Sequence, residues 1–371
     1  MRKSIPVGLF IVLIGLFGCR ASRVPVLLDE RGQQKAKPKV AAFLDQNSAI
    51  LAEEGIRVNP IELRTLFQPE ILQPFESWSL SVADTSGNDR EFILKLFTTE
   101  ADARSEELNY VRIHAAGLPT TADILWGKAK PYANAHCVLL SRPNGQPLGK
   151  TAALRSRDGF DKLQALYMPT MDVLSKMHSL LPDSGAIENY PVNEWLRQMA
   201  ELGVVRKYWN SEVRDALKGI AKEWKPEQKR LIHGDFSDLQ VSIDYEGKVT
   251  ALLNLERMGF GDPSLDLGYL FADIMVLNPL LSKQRYGIEF PPKVDYPGIA
   301  KNLGEYYEKV SGREFTQQTV MNLRVAFFLK IASLVTYQRN DPLLQAGVLR
   351  VERMVPALLI ADPIDQIFTG D

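Results

Sequence analysis

The segment from Leu231 to Leu270 constrains the fold of this chain more than any other part of it. A short apolar run ends at His233-Gly234-Asp235, which leads into a polar loop. Two apolar runs then flank Tyr245-Glu246-Gly247-Lys248, a sequence typical of a tight hairpin turn. The spacing predicts a loop that presents a carboxylate, followed by a β-hairpin with further polar side chains near its end.

Two strands and a helix are predicted upstream of this segment. Apolar residues alternate in Trp78 to Ala83 and again in Glu91 to Phe97, and the turn-forming residues 84–89 separate the two runs. These runs predict a β-hairpin. A helix is predicted from Glu100 to Ala116, because Gly117 follows it and a proline lies just beyond.

The rest of the chain is predicted to be mostly helical. A strand at His136 to Ser141 and a loop at Pro143 to Gly149 precede the helices. Helices are predicted at 160–181, 192–207, 211–224 and from Leu265 to about Ile360, with breaks at Pro279, Pro291 and Pro297. The predicted regions are a signal segment (1–19), a tether with one helix (20–54), a small mixed lobe (55–142) and a helical lobe (143–371). This arrangement suggests a cleft between the lobes.

The amino terminus carries a pattern of its own. Arg2 and Lys3 precede an uncharged run from Ile5 to Gly18, which is shorter than the roughly 20 residues that span a bilayer. A basic start and a short apolar run are typical of a secretory signal. The sequence that ends at Cys19 resembles a bacterial lipoprotein cleavage box, in which the cysteine is lipidated. We therefore favour a membrane-anchored, extracytoplasmic lipoprotein.

An uncleaved anchor is the alternative. Six basic residues lie between Arg20 and Lys39, against two before the apolar run, and this bias would keep the main domain in the cytoplasm. The other cysteine, Cys137, lies in an apolar run and is predicted to be buried and unreactive.

Lys95, upstream of the segment 231–270, is a candidate to act together with the polar residues of that segment. Phosphoryl transfer needs positive charge against phosphates and accurate positioning. Lys95 lies inside the apolar strand Phe92 to Phe97, and Glu106 or Glu107 on the following helix could pair with it. Taken alone, Lys95 could equally lie on the solvent face of the hairpin, and the glutamates could be solvated.

The motifs together resemble the aminoglycoside phosphotransferase and choline kinase superfamily. That family has the order H-G-D-x-x-x-x-N, I-D-x-E and G-D-P-x-x-D-L. The matching residues here are His233-Gly234-Asp235, Glu256, Gly261-Asp262-Pro263 and Asp266-Leu267. The resemblance covers about residues 60–350. It implies an α+β, protein-kinase-like fold with a small β-rich lobe and a large helical lobe.

The resemblance also implies roles for individual residues. Asp235 would accept the proton of a substrate hydroxyl, and Lys95 would bind nucleotide phosphates with Glu106, favoured over Glu107 by its spacing from Gly117. The strand near 138–140 would be the hinge that holds adenine. The resemblance gives supporting roles to four residues: His233, Glu256, Asp262 and Asp266. The alternative for the two aspartates is that they simply cap a helix. We interpret three histidines as structural: His114, His136 and His178. Met177-His178 nevertheless resembles the family's Leu-His. Four aromatic residues are predicted to lie in the core: Tyr306, Tyr307, Phe327 and Phe328.

Two departures fall on the metal-binding positions of the family. Gln240 stands where the family has Asn, and Asn254 stands where it has Asp. The Asp-to-Asn change at Asn254 removes one negative charge, worth about 4 kcal/mol per charge pair at ~4 Å and an effective dielectric near 20, and about twice that for Mg²⁺. The extra methylene of glutamine also moves its oxygen outward. The expected nucleotide loop, Pro74 to Ser79, has no glycine, and Glu76 would face phosphates unfavourably.

Two functions remain open at this stage. In the first, a membrane-anchored, kinase-like protein has lost metal-dependent transfer and works as a binding or scaffold module, with no assigned cofactor. In the second, the protein is an active phosphotransferase that uses ATP and Mg²⁺ on the hydroxyl of a small molecule. The formal net charge of −1 gives no basis for nucleic-acid binding. A nucleotide or another small molecule is the expected ligand, and protein partners are not predicted.

Overall fold

The computed structural model describes residues 62–65, 75–83, 89–97, 99–119, 124–126, 136–182, 190–291, 294–341 and 344–369. The predicted signal segment with Cys19, the tether, the helix at 40–54 and the turn at 84–88 lie outside these residues. The side chain of Cys137 is also outside the described part, so its predicted burial stays a prediction.

The small lobe contains a five-stranded antiparallel sheet in the order β1-β2-β3-β5-β4. Its strands are β1 (Glu62–Thr65), β2 (Phe75–Ala83), β3 (Asp89–Phe97), β4 (Ile124–Trp126) and β5 (His136–Ser141). The predicted hairpin is confirmed as β2 and β3. The predicted nucleotide loop is wrong for residues 75–79, because the ladder with β3 continues back to a pair between Phe75 and Phe97.

Helix α1 (Glu100–Ala115) connects the small lobe to the rest of the molecule. Thr99 caps its start, since its hydroxyl accepts a hydrogen bond from the Asp102 amide at 3.1 Å. Gly117 ends it in the left-handed region, with φ of +63°. The amide of Leu118 then bonds back to the Ile113 carbonyl at 2.9 Å. The predicted helix and its glycine stop are therefore confirmed.

The large lobe is helical apart from short strands that frame the polar segment. Its helices are α2 (Leu148–Arg155), α3 (Phe160–His178), α4 (Val192–Val205), α5 (Ser211–Ala221), α6 (Ser264–Ala272), α7 (Asn278–Tyr286), α8 (Tyr296–Ser311), α9 (Gln317–Gln338), α10 (Gln345–Ala361) and α11 (Pro363–Thr369). Its strands are β6 (Gln146–Pro147), β7 (Arg230–Ile232), β8 (Val241–Ile243), β9 (Val249–Leu252) and β10 (Gly259–Gly261). The hairpin predicted around Tyr245–Lys248 is β8 and β9. The segment 143–149, predicted as a loop, also contains β6 and the start of α2.

Pro279 does not interrupt the helix in which it lies, contrary to the prediction. Residues 273–277 form a π-helical turn between α6 and α7, and the Asn278 amide bonds to the Asp273 carbonyl five residues earlier. A wider turn relieves the clash that proline makes with the preceding helical turn. Pro297 lies in the first turn of α8, where its missing N–H costs nothing.

The helical core is formed largely by α6 and α9. The helical segments 264–286 and 317–338 are long and apolar enough to cross a membrane, but 83% of the apolar window of each is buried inside the protein. They are accordingly core helices. A β-carbon on Gly268 would lie 2.6 Å from the Ala326 side chain, so this glycine allows the two helices to cross closely. The predicted core residues Tyr307, Phe327 and Phe328 are buried.

Candidate active site

The His233-Gly234-Asp235 turn has a backbone that requires glycine at its centre. It begins where β7 ends at Ile232. Gly234 has φ of +81°, and a β-carbon there would lie 2.4 Å from the carbonyl oxygen of Arg257. The turn thus packs directly against the segment after the hairpin. It places Asp235 three residues after the end of β7, with only 5% of its surface exposed.

Asp266 holds this turn in place. Its Oδ2 accepts a hydrogen bond from the His233 amide at 2.7 Å, and its Oδ1 accepts one from the Gly234 amide at 2.9 Å. His178 Nε2 lies 3.1 Å from Oδ2, and its Nδ1 lies 2.8 Å from the hydroxyl of Tyr307. A neutral imidazole protonated on Nε2 satisfies both contacts. His178 and Tyr307 therefore belong to the support of the turn, in addition to filling the core.

Asp262 makes both a cap and a long-range contact. Its Oδ1 accepts a hydrogen bond from the Ser264 amide at 2.9 Å, at the start of α6. Its Oδ2 accepts one from the Glu227 amide at 2.7 Å, in the segment that leads into β7. The side chain of His233 donates from Nε2 to the Leu253 carbonyl at 2.8 Å and so ties the turn to the hairpin.

Asp235 is paired with a lysine from a distant helix. The Nζ atom of Lys330, in α9, lies 3.5 Å from Asp235 Oδ1, and both side chains are almost completely buried. The same ammonium lies 4.9 Å from the centre of the Tyr269 ring. Burial lowers the pKa of Arg257, but the negative charges of Asp235 and Glu256 raise it by more, so the net shift is upward. The proposed base, Asp235, therefore interacts with two positive charges, those of Lys330 and Arg257. Lys330 was not among the residues predicted from the sequence.

Lys95 and Glu106 form a buried ion pair across the small lobe. Glu256 Oε2 lies 3.9 Å from the same Lys95 ammonium, so one lysine faces two carboxylates. Burial, followed by the charge of Glu106, raises the pKa of Glu256 to about 8, while Lys95 opposes the rise. The structure thus places Glu106, and not Glu107, on the lysine, and it adds Glu256 to the cluster.

Helix α1 is fastened to the segment that contains Glu256. The side-chain amide of Asn109 donates to the carbonyls of Leu255 at 2.7 Å and Met258 at 3.0 Å. The hydroxyl of Ser105 donates to the Glu256 carbonyl at 3.0 Å. Each of these bonds joins residues about 150 positions apart in the sequence, so they connect the small lobe to the polar segment.

The two substituted positions lie on either side of the hairpin. The amide of Leu253 donates to the Gln240 carbonyl at 2.8 Å, which brings the two ends of the hairpin together. Both side chains are buried, with 1% of Gln240 and 4% of Asn254 exposed. Asn254 is in the left-handed region, with φ of +60° and ψ of +58°, a conformation that asparagine and aspartate tolerate better than most residues.

These side chains do not make a good magnesium site. Both metal positions carry neutral amide side chains, and the proposed base, Asp235, already faces the Lys330 ammonium. In the described part of the chain, no group of three or more His, Cys, Asp or Glu side chains is arranged to hold a metal ion. Mg²⁺ favours carboxylate and phosphate oxygens in octahedral geometry. The donor set therefore does not fit the metal that the fold implies.

A further buried polar network is centred on Asp238, and it was not predicted from the sequence. Asp238 is buried and accepts hydrogen bonds from the Tyr167 hydroxyl at 3.1 Å and from the Asn278 amide at 2.5 Å. A β-carbon on Gly149 would lie 2.7 Å from the Asp238 carboxylate. Asp273 is also buried. The charges of Lys330 and Asp238 both act on Asp273, although Lys330 is far from it in the sequence.

The predicted hinge strand and two of the predicted structural histidines lie outside the clusters described above. Val138, Leu139 and Leu140 are buried in β5, next to β3, where the family resemblance expects the hinge. His136 begins β5 and is half-buried, and His114 lies on the exposed side of α1 near its end. Neither belongs to the clusters described above.

The fold and this site together define a two-lobed, kinase-like protein. Residues 71–292 match the family model described as "Phosphotransferase enzyme family". The match spans more than half of the chain, and the chain therefore belongs to this family. No curated protein matches the sequence.

Solved structures show the same fold. A protein from Ralstonia eutropha, provisionally assigned as an aminoglycoside phosphotransferase, has a TM-score of 0.55 at 15% identity, covering 90% of this chain and 98% of that one. A thermostable mutant of aminoglycoside phosphotransferase APH(4)-Ia, in complex with ADP and hygromycin B, has a TM-score of 0.50 at 14% identity and covers 85% and 98%. Macrolide 2'-phosphotransferase type I has a TM-score of 0.50 at 15% identity and covers 84% and 97%. Likeness at this level of identity shows the fold alone, and it confirms the predicted α+β two-lobe architecture.

Proposed function

We propose that this protein is a membrane-anchored, kinase-like module that binds a ligand and has lost efficient metal-dependent phosphoryl transfer. The observation that carries the proposal is the state of Asp235, which lies 3.5 Å from a buried ammonium while amides stand at both metal positions. One oxygen of the Asp235 carboxylate already faces this ammonium, so it is less available to accept a hydrogen bond from a substrate hydroxyl. The module would act by binding or as a scaffold.

The electrostatics support this proposal. Metal-assisted transfer needs negative charge on the protein to hold the cation beside the phosphates. The carboxylate that is missing at Asn254 removes about 4 kcal/mol per charge pair at ~4 Å, and about twice that toward a divalent ion. Lys330 adds a positive charge beside Asp235. The lost carboxylate and the added ammonium both lower the affinity for Mg²⁺.

We expect no thermal shift when Mg-ATP is added to protein that lacks residues 1–19. A ligand at a hundred times its dissociation constant would add about 2.7 kcal/mol to the free energy of unfolding, which a melting curve detects easily. The matched variant is Gln240→Asn/Asn254→Asp, which restores the family's metal positions and is expected to gain a shift that depends on Mg²⁺. A shift in the wild type that disappears with EDTA would contradict the proposal.

An active phosphotransferase is the second candidate, and one observation favours it. The Lys95–Glu106 pair and the Asp266 contacts to the turn, which position the groups for transfer, are both complete. In this case ATP and Mg²⁺ would be used on the hydroxyl of a small molecule. A measurable ATPase or kinase rate that Asp235→Asn abolishes would establish this function and overturn the first.

The membrane anchor is proposed from the amino terminus. Lipid on Cys19 would bury many methylenes at about 0.8 kcal/mol each, and two or more acyl chains make a stable anchor. We expect mass spectrometry of the membrane fraction to find a mature chain that starts at a lipidated Cys19, and Cys19→Ala to prevent that processing. A mature protein that starts at Met1 would favour the uncleaved anchor and a cytoplasmic domain.

A further inference from the structure

Lys330 is buried to a degree that is unusual for a lysine. It is the only charged residue between Val325 and Val335 in the core helix α9, and 2% of its surface is exposed. A buried ammonium is costly unless carboxylates or aromatic faces surround it. Here the Tyr269 ring and the Asp235 carboxylate do so, at 4.9 Å and 3.5 Å.

Asp273 is a second carboxylate whose charge interacts with the same ammonium. It is the only charged residue between Tyr269 and Leu277 and is fully buried. Neither of its oxygens has a hydrogen-bond donor in good geometry among the described residues. Burial raises the pKa of Asp273 to about 6, and the charge of Lys330 is the main influence that opposes the rise. Asp238 adds to the rise, and Arg285 opposes it more weakly.

Two carboxylates and an aromatic face are the groups that recognise an organic ammonium ion. In most such sites the cation arrives on a ligand. In this protein the cation is on the chain itself, and it lies against Asp235, the residue that the family resemblance places at the substrate hydroxyl.

We propose that Asp235, Asp273 and Tyr269 form an ammonium-binding site that the chain fills with its own Lys330. The proposal rests on the assignment of the ligand site to Asp235 and deepens it. While Lys330 occupies the site, a cationic group on a ligand cannot pair with Asp235 without displacing it. The part of the ligand that approaches Asp235 is therefore neutral or anionic.

The test is rescue of a truncated lysine by a free amine. In Lys330→Ala the side chain is replaced by a cavity lined by both carboxylates, and buried cavities bind small molecules that match their shape. We expect propylammonium at saturating concentration to raise the melting temperature of this variant by about 5 °C. Propanol, which has similar size and no charge, is expected to leave it unchanged.

Two controls separate this effect from general stabilisation by amines. The wild type has no vacant site and is expected to show no shift. Lys218→Ala removes a lysine that also forms an ion pair, with Glu201, but at the surface, and it is likewise expected to show none. An equal shift in all three proteins, or none in Lys330→Ala, would overturn the proposal.

A second pair of variants covers the case in which Lys330→Ala does not fold. Lys330→Met leaves Asp273 without its cation, and Lys330→Met/Asp273→Asn removes the uncompensated charge as well. We expect the double variant to yield several-fold more soluble protein than Lys330→Met. An equal or lower yield would overturn the proposal. No nucleotide or magnesium is present in either experiment, so their results are independent of the Mg-ATP titration.

Discussion

Replacing Asp266 by alanine is expected to lower the free energy of unfolding by about 3–5 kcal/mol, the range for removing one partner of a buried charged network. The carboxylate accepts hydrogen bonds from the amides of His233 and Gly234 and contacts the His178 ring. All of these groups are buried, so alanine would leave two backbone amides and the Nε2 atom of His178 without partners and without access to water. Urea denaturation measures the effect directly.

Two companion variants give this experiment its controls. Asp158 is exposed, and Asp158→Ala is expected to change stability by less than about 0.5 kcal/mol. Asp266→Asn keeps the shape but turns its amide NH₂ toward one of the backbone donors. We therefore expect its loss of stability to lie between those of Asp158→Ala and Asp266→Ala. A loss below about 1 kcal/mol in Asp266→Ala would mean that the turn does not depend on this carboxylate.

Raising the pH from 6 to 8 is expected to destabilise the wild type by roughly 2–3 kcal/mol through Glu256 alone. Burial and Glu106 raise the pKa of Glu256 from 4.5 to about 8 in the folded state. Between these two values the folded protein keeps a proton that the unfolded chain has lost, so stability falls as pH rises. Below pH 4.5 both states are protonated, and above pH 8 both are ionised, so the dependence is confined to this window.

Glu256→Gln isolates this contribution. The variant keeps the side chain neutral at every pH, and its loss of stability between pH 6 and 8 is expected to be smaller than that of the wild type by the same amount. Asp273 has a pKa of about 6 in the folded protein, so most of its own contribution falls at lower pH. Identical pH dependence in the wild type and in Glu256→Gln, measured at constant ionic strength, would show that Glu256 is ionised throughout.

The β2–β3 hairpin and the end of α1 were predicted correctly because each depends on residues close together in the sequence. The alternation in 78–83 and 91–97 predicts the hairpin, and Gly117 ends α1 because the left-handed conformation is available to glycine without strain. The prediction at Pro279 was wrong because a proline was assumed to end a helix. A π-helical turn before it depends on packing of the whole segment, and periodicity does not reveal such packing.

The site was predicted in part, and the missing part is long-range. The family motifs locate Asp235, Gln240 and Asn254, but the partner of Asp235 is 95 residues away in α9. A signal for it was present all the same. Lys330 and Asp273 are each the only charged residue in an apolar helical run, and such residues are seldom buried without an opposite charge. Pairing the two isolated charges would have predicted the cluster.

The attachment of α1 to residues 255–258 bears on how this protein responds to its environment. In kinase-like folds, the position of this helix determines whether lysine and glutamate meet. Here, swinging α1 outward would break the hydrogen bonds that Ser105 and Asn109 donate to three carbonyls of the 255–258 segment. The Lys95–Glu106 contact is therefore expected to be constitutive, and a signal transmitted by this protein would have to originate in an element other than the helix that kinases commonly use as their switch.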